Sequence, residues 1–225
     1  MVFSVQQKTI ENIIVLLFEI SFILLTLQAV NIEDTSRMWI AVASFFITLI
    51  PYLAERLLRI SLPFGIKIMI PFALFIHTAG GIMRWYWDFS WIYYDKIAHL
   101  ISGLALGLVV FAIILTFILY SKLELKKRSV LVWTAAITFI FGEFWEYEEM
   151  SIDSVMMTTY SGGLYDSIGD TIANIVGIIL CIYVAKKWMD SVPAHKSLSS
   201  LIRNERVLVP RNKISPPRRK YKRDL

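Results

Sequence analysis

Six apolar runs, each about as long as a bilayer is thick, fix what this chain can become. A spanning helix needs roughly 20 mostly apolar residues. Such runs lie at about 10–30, 38–58, 64–85, 96–120, 129–148 and 167–187. In hydrocarbon, each backbone N–H and C=O must find its partner within the segment, so these runs predict helices. The expected fold is all-α: a polytopic membrane protein with six transmembrane helices in a bundle over residues 1–189, then a disordered basic tail over 190–225. Hydrophobic residues make up 56% of the 225, a proportion that excludes an ordinary soluble domain. Pro51 and Pro71 fall inside the second and third runs and predict kinks rather than helix ends. The first run is too long for a cleavable signal peptide. The single cysteine, Cys181, excludes an intramolecular disulfide.

Orientation follows from the short loops, because Lys and Arg favour the cytoplasmic side. Arg56, Arg59 and Lys67 mark one connection, and Lys122, Lys126, Lys127 and Arg128 mark another. From Asp190 onward there are ten Lys/Arg against three Asp/Glu, while the whole chain is only +5, so the body itself is slightly acidic. These three basic segments alternate as six spans require if both termini are cytoplasmic, in a multi-pass protein of the plasma membrane. The opposite loops carry acids, and aromatic residues crowd 85–94 as an interface belt would. The tail is expected to meet anionic lipid headgroups. Nucleic-acid binding is not expected, since no recognition fold or aromatic interleaving accompanies the basic residues. The sequence leaves oligomeric state open.

Ionisable side chains inside the spans are the functional signal. A charge at a helix centre costs on the order of 2.5–3.5 kcal/mol on insertion scales, so such residues are rare and usually have a task. Asp95 and His99 are i,i+4 at the start of the fourth span. Glu143 and Glu146 are i,i+3 near the end of the fifth. Asp166, Asp170 and Asn174 form an i,i+4,i+8 stripe opening the sixth. With alternating spans, all three sets fall at the outer face. Gly103, Gly107 and Gly177 continue the stripes as places of close helix approach.

So many carboxylates cannot all ionise together in a low dielectric without a cation. Hard oxygen ligands with one imidazole suit a divalent metal such as Zn, Mg or Mn. In that reading Asp95, His99, Asp166 and Asp170 bind the metal, while Glu143, Glu146 and His99 are the catalytic candidates. His77 and Arg84, in the outer part of the third span, are candidate substrate contacts with Asn174 and Tyr165. Glu19, alone in the first span, is a candidate cation or proton site or a partner for His77. The Ser/Thr/Gly-rich segment 149–166, with Asp153 and Tyr160, is a candidate lid. The expected activity is that of a metal-dependent hydrolase acting on a lipid or lipid-linked envelope substrate. A cation- or proton-coupled transporter and a structural membrane protein are the alternatives.

The string Tyr94-Asp95-Lys96-x-x-His99-x-x-x-Gly103, then Glu143-x-x-Glu146, then Tyr165-Asp166-x-x-x-Asp170-x-x-x-Asn174-x-x-Gly177, resembles the YjdF-like inner-membrane protein family. Its two ends are also similar to the VanZ-like family, with that family's D-K-x-x-H opening and D-x-x-x-N-x-x-G close. The first resemblance implies no settled activity. The second implies a link to low-level glycopeptide resistance at the cell envelope. Together they support grouping Asp95, His99, Glu143, Glu146, Asp166 and Asp170 and name no substrate.

Overall fold

A computed structural model describes residues 5–90, 93–156 and 162–202. The chain runs as α1 (Val5–Asn31), α2 (Thr35–Leu57), α3 (Ile66–Ile82), a one-turn α4 (Trp85–Asp88), α5 (Tyr94–Ser121), α6 (Lys127–Met156) and α7 (Leu164–Asp190), and closes on a 3-10 turn at Leu198–Leu201. It is a helical membrane bundle, as the apolar runs imply. Five helices are long and apolar enough to span: α1, α2, α5, α6 and α7. The sixth expected span is shorter than expected: α3 has 17 residues, about 25 Å at 1.5 Å per residue. Its last expected turn is instead broken off as α4, after Arg84 takes a left-handed conformation (φ 63°). α2 and α3 continue through Pro51 and Pro71.

Two three-helix groups make the bundle. α1, α2 and α3 pack on one another, α5, α6 and α7 do the same, and α3 meets α5 between them. The outward faces are apolar: Leu16, Leu24, Phe46, Ile113, Ile140 and Ile179 are all exposed, as lipid-facing side chains must be. Inside, small residues let backbones approach, because lipid gives no hydrophobic drive for helix association. The most extensive pairing, α5 with α7, shows this directly. A Cβ on Gly103 would lie 2.6 Å from the Asn174 carbonyl oxygen, and one on Gly177 would run into the Leu100 carbonyl.

At one end of the bundle, Lys67 is 3% exposed and ion-paired to Glu11 (3.0 Å) and Glu55 (3.2 Å). The free oxygens of those carboxylates accept from the Gly65 and Leu62 amides. Lys67 was expected in a loop; it is instead the buried clasp of the first helix group. Beyond Asp190 the chain leaves the bundle through an exposed stretch and packs back on it at Leu198–Ile202. Ile202 is fully buried, and its carbonyl accepts from Ser61 N–H at 2.8 Å. The rest of the expected tail, from 203, lies outside the described residues.

Candidate functional site

The start of α5, the last third of α6 and the start of α7 meet at the other end of the bundle. The i,i+4 stripes of α5 and α7 face each other because the glycines one and two turns deeper bring those helices together. His99 stands at the centre. Its Nε2 lies 3.6 Å from Asp95 Oδ1 and 3.7 Å from Asp170 Oδ1. Its Nδ1 lies 3.3 Å from Glu146 Oε1 and 3.5 Å from Asn174 Nδ2. His99, Glu146, Asp170 and Asn174 are all buried. Asp95 and Asp166 form a more open rim, with side chains 33% and 41% exposed.

A group the sequence reading left out stands among these acids. Lys96 Nζ donates to Asp166 Oδ1 (2.5 Å), Asp170 Oδ1 (2.7 Å) and Asp95 Oδ2 (3.1 Å), and to the Asp166 carbonyl (3.2 Å). Its stem crosses Gly169, where a Cβ would meet Lys96 Cε at 2.9 Å. The signal was in plain view one residue after Asp95. It was overlooked because i,i+1 side chains point about 100° apart on a helix, and only a stem of lysine's length can reach back round to the acid stripe.

One lysine does not balance the set. Asp95, Asp166, Asp170 and Glu146 bring four carboxylates to one ammonium. Glu146, 3% exposed, has no hydrogen bond to either carboxylate oxygen. A buried unsatisfied polar group is costly, and a charged one more so. The separations at His99 Nε2 are long for hydrogen bonds yet suit two ligands of one ion: tetrahedral ligands at metal bonds of ~2.1 Å lie about 3.4 Å apart. Asp95, His99 and Asp170 offer such a triad, and His99, Glu146 and Glu149 offer a second on the other side of the same ring.

The remaining expected residues divide. Glu143, read as a catalytic base, accepts from Thr171 Oγ1 at 3.0 Å and ties α6 to α7. His77 sits beside the cluster with its ring edge-on to His99, centroids 5.6 Å apart. Its two nitrogens are taken by Tyr86 OH (2.6 Å) and Ser102 Oγ (2.8 Å) rather than by Glu19. Burial, helped by the Asp95 charge, pushes the Tyr86 phenol above its usual range. The phenol therefore stays protonated and donates to His77 Nδ1, leaving Nε2–H for Ser102. Arg84 is apart from the acids, its guanidinium 5.9 Å from the Trp87 ring. Tyr165 is 92% exposed, unlike the buried groups around His99. The segment expected to be a lid from 149 is helix as far as Met156; residues 157–161, Tyr160 among them, lie outside the described residues, and the placement of the Asp153 side chain is outside them too.

No curated protein and no solved structure matches the chain. A family model does, that of a predicted membrane protein family (DUF2238), over residues 13–191. That stretch holds both helix groups apart from the start of α1, with every residue of the acidic cluster, and the family is the YjdF-like one that the D-K-x-x-H and D-x-x-x-D-x-x-x-N strings resemble. The chain belongs to the DUF2238 family of membrane proteins.

Proposed function

We propose that this protein is a membrane-embedded, divalent-cation-dependent hydrolase acting on a lipid or lipid-linked substrate at the extracytoplasmic face. The observation that carries the reading is the surplus of buried carboxylate around His99, with both Glu146 oxygens unpartnered after Lys96 has taken its share. Asp95, His99 and Asp170 would hold the cation, with Asp166 at the rim. Zn, Mg or Mn fits this donor set. Such a cation supplies polarisation of a carbonyl or phosphoryl oxygen and activation of water. Glu146 is the stronger candidate for the proton acceptor, and the proton it can reach is the Nδ1–H that a cation on Nε2 would leave on His99, so it would also orient that ring. Glu143, engaged with Thr171, positions α6. Asn174, at the floor, and the His77–Tyr86 pair, at the side, would line the substrate's approach.

The outer placement rests on the basic residues at the other end of the bundle: Arg56, Arg59, Lys122, Lys126, Lys127 and Arg128 keep the bias even with Lys67 committed to its ion pairs. This puts both termini in the cytoplasm and the basic tail near anionic headgroups of the plasma membrane.

A transporter is the second reading, and one feature favours it. The two three-helix groups each carry a lysine bridging carboxylates, and these sit at opposite ends of the bundle. Groups of opposite direction are a common plan for carriers. Purified protein reconstituted with a labelled envelope lipid extract separates the two. The hydrolase reading expects chelator-sensitive, Glu146-dependent release of a new product. Cation-driven flux across sealed vesicles with no product formed would replace it with the carrier.

A further inference from the structure

We propose that Lys96 is a tethered cation that holds the site closed and is displaced when the external cation binds. This rests on the cation reading above and adds how the site is gated. Asp170 Oδ1 serves two masters: it accepts from Lys96 Nζ at 2.7 Å and is the same oxygen that lies 3.7 Å from His99 Nε2. Asp95 is divided between them, Oδ2 to Lys96 and Oδ1 towards His99. A cation drawn in by His99, Asp95 and Asp170 would therefore sit against the ammonium, and two positive charges a few Å apart in a poorly solvated site repel strongly. One of them must leave. The lysine has somewhere to go, because Asp166 is the most exposed of its three partners, at 41%, and both its side-chain oxygen and its carbonyl already accept from Nζ.

The local backbone permits this swing. Gly169 lies directly beneath the lysine stem and offers it a groove rather than a wall. Asp166 and Asp170 lie on either side of that glycine along α7, so a small rotation of the stem passes the ammonium from the buried acid to the rim acid. Glu146, across the ring, supplies the second, independent pointer to a ligand: it is 3% exposed and faces His99 Nδ1 at 3.3 Å with neither oxygen hydrogen bonded, and a cation on Nε2 would fix the proton on Nδ1, where this carboxylate can accept it. Lys96 reaches Asp95, Asp166 and Asp170 but does not bond to Glu146, so the resident cation leaves that part of the charge unanswered.

The test uses full-length protein in mild detergent with Mn²⁺ or Zn²⁺ as the probe. Binding is read by calorimetry, and Lys96 accessibility by the rate of modification with a water-soluble amine reagent, followed by peptide mass spectrometry. Gating expects Lys96 labelling to rise several-fold when the cation is added. It also expects K96M to bind the cation at least several-fold more tightly than wild type. Labelling that stays constant or falls on cation binding overturns the gate, even if K96M binds more tightly, since loss of a nearby positive charge alone would do that. Cation binding by wild type with K96M unchanged or weaker overturns the gate and leaves the cation site standing. No binding by either protein overturns both. No binding by wild type with clear binding by K96M overturns the gate, since a lysine that no cation displaces is a permanent occupant of the site.

Discussion

His99 on α5 and Glu146 on α6 face each other at 3.3 Å, both almost fully buried, and neither oxygen of the glutamate is hydrogen bonded. Carboxylates with three or four partners are common in protein interiors; one held dry beside an imidazole with none is the state of a group kept for a ligand or a proton. E146Q removes the charge and keeps the shape. Its expected signature is opposed: thermal stability in detergent rises or holds, by up to about 1–2 kcal/mol from relief of a buried unsatisfied charge, while cation binding and lipid turnover fall. A variant both less stable and fully competent would contradict the role assigned to Glu146.

Depth separates the two aspartates of α7. Asp170 is buried and faces both Lys96 and His99, whereas Asp166 is at the rim and, among the described residues, ion-pairs with the lysine and not with His99. D170N is expected to weaken cation affinity by well over tenfold, and D166N by a few fold at most. Titration of the purified variants with Mn²⁺ ranks them. An equal loss in both would mean that rim and floor act as one charge cloud rather than as ligand and outer partner.

Helix approach near the site makes a contrasting pair of glycine variants. At Gly177 a methyl group meets α5 backbone, which cannot move aside cheaply, so G177A is expected to cost about 1–3 kcal/mol through overpacking. At Gly142 the nearest atom to an added Cβ is Asn174 Nδ2 at 3.6 Å, an ordinary contact. G142A is therefore expected to be neutral or to gain about 0.5–1 kcal/mol from the better helix former. Melting curves in one detergent decide it.

The buried Lys67 gives a control far from the site. K67M leaves Glu11 and Glu55 facing each other without their cation. Breaking a buried ion pair from one side typically costs about 3–5 kcal/mol, so K67M is expected to unfold at clearly lower temperature. Any correctly folded fraction should retain full cation affinity at the opposite end of the bundle. Loss of affinity in folded K67M would show that the two charged clusters communicate.

Much of this arrangement was legible in the chain, for reasons that mark where legibility stopped. Alternating spans and i,i+4 spacing suffice to bring Asp95, His99, Asp166 and Asp170 to one end, because helix direction and side-chain periodicity are local properties. Glu143 and Glu146 part company because i,i+3 leaves about 60° between two side chains, enough to turn Glu143 to Thr171 while Glu146 meets His99. Lys96 and Lys67 were missed for a shared reason. Each looked like an interface or loop charge by position, yet each has a long stem that carries its ammonium to acids on other helices. The break at Arg84, which shortens α3 and turns Tyr86 onto His77, follows from a single left-handed residue that no apolar pattern announces.

Elemental analysis of the full-length protein, purified in mild detergent without chelator and after equilibration with Zn²⁺ or Mn²⁺, bears on the central claim most directly. The account expects about one divalent cation per chain in wild type, reduced to background in the H99A/D170N double variant. Wild-type protein that takes up no more cation than that variant, while K96M likewise takes up none, would contradict it.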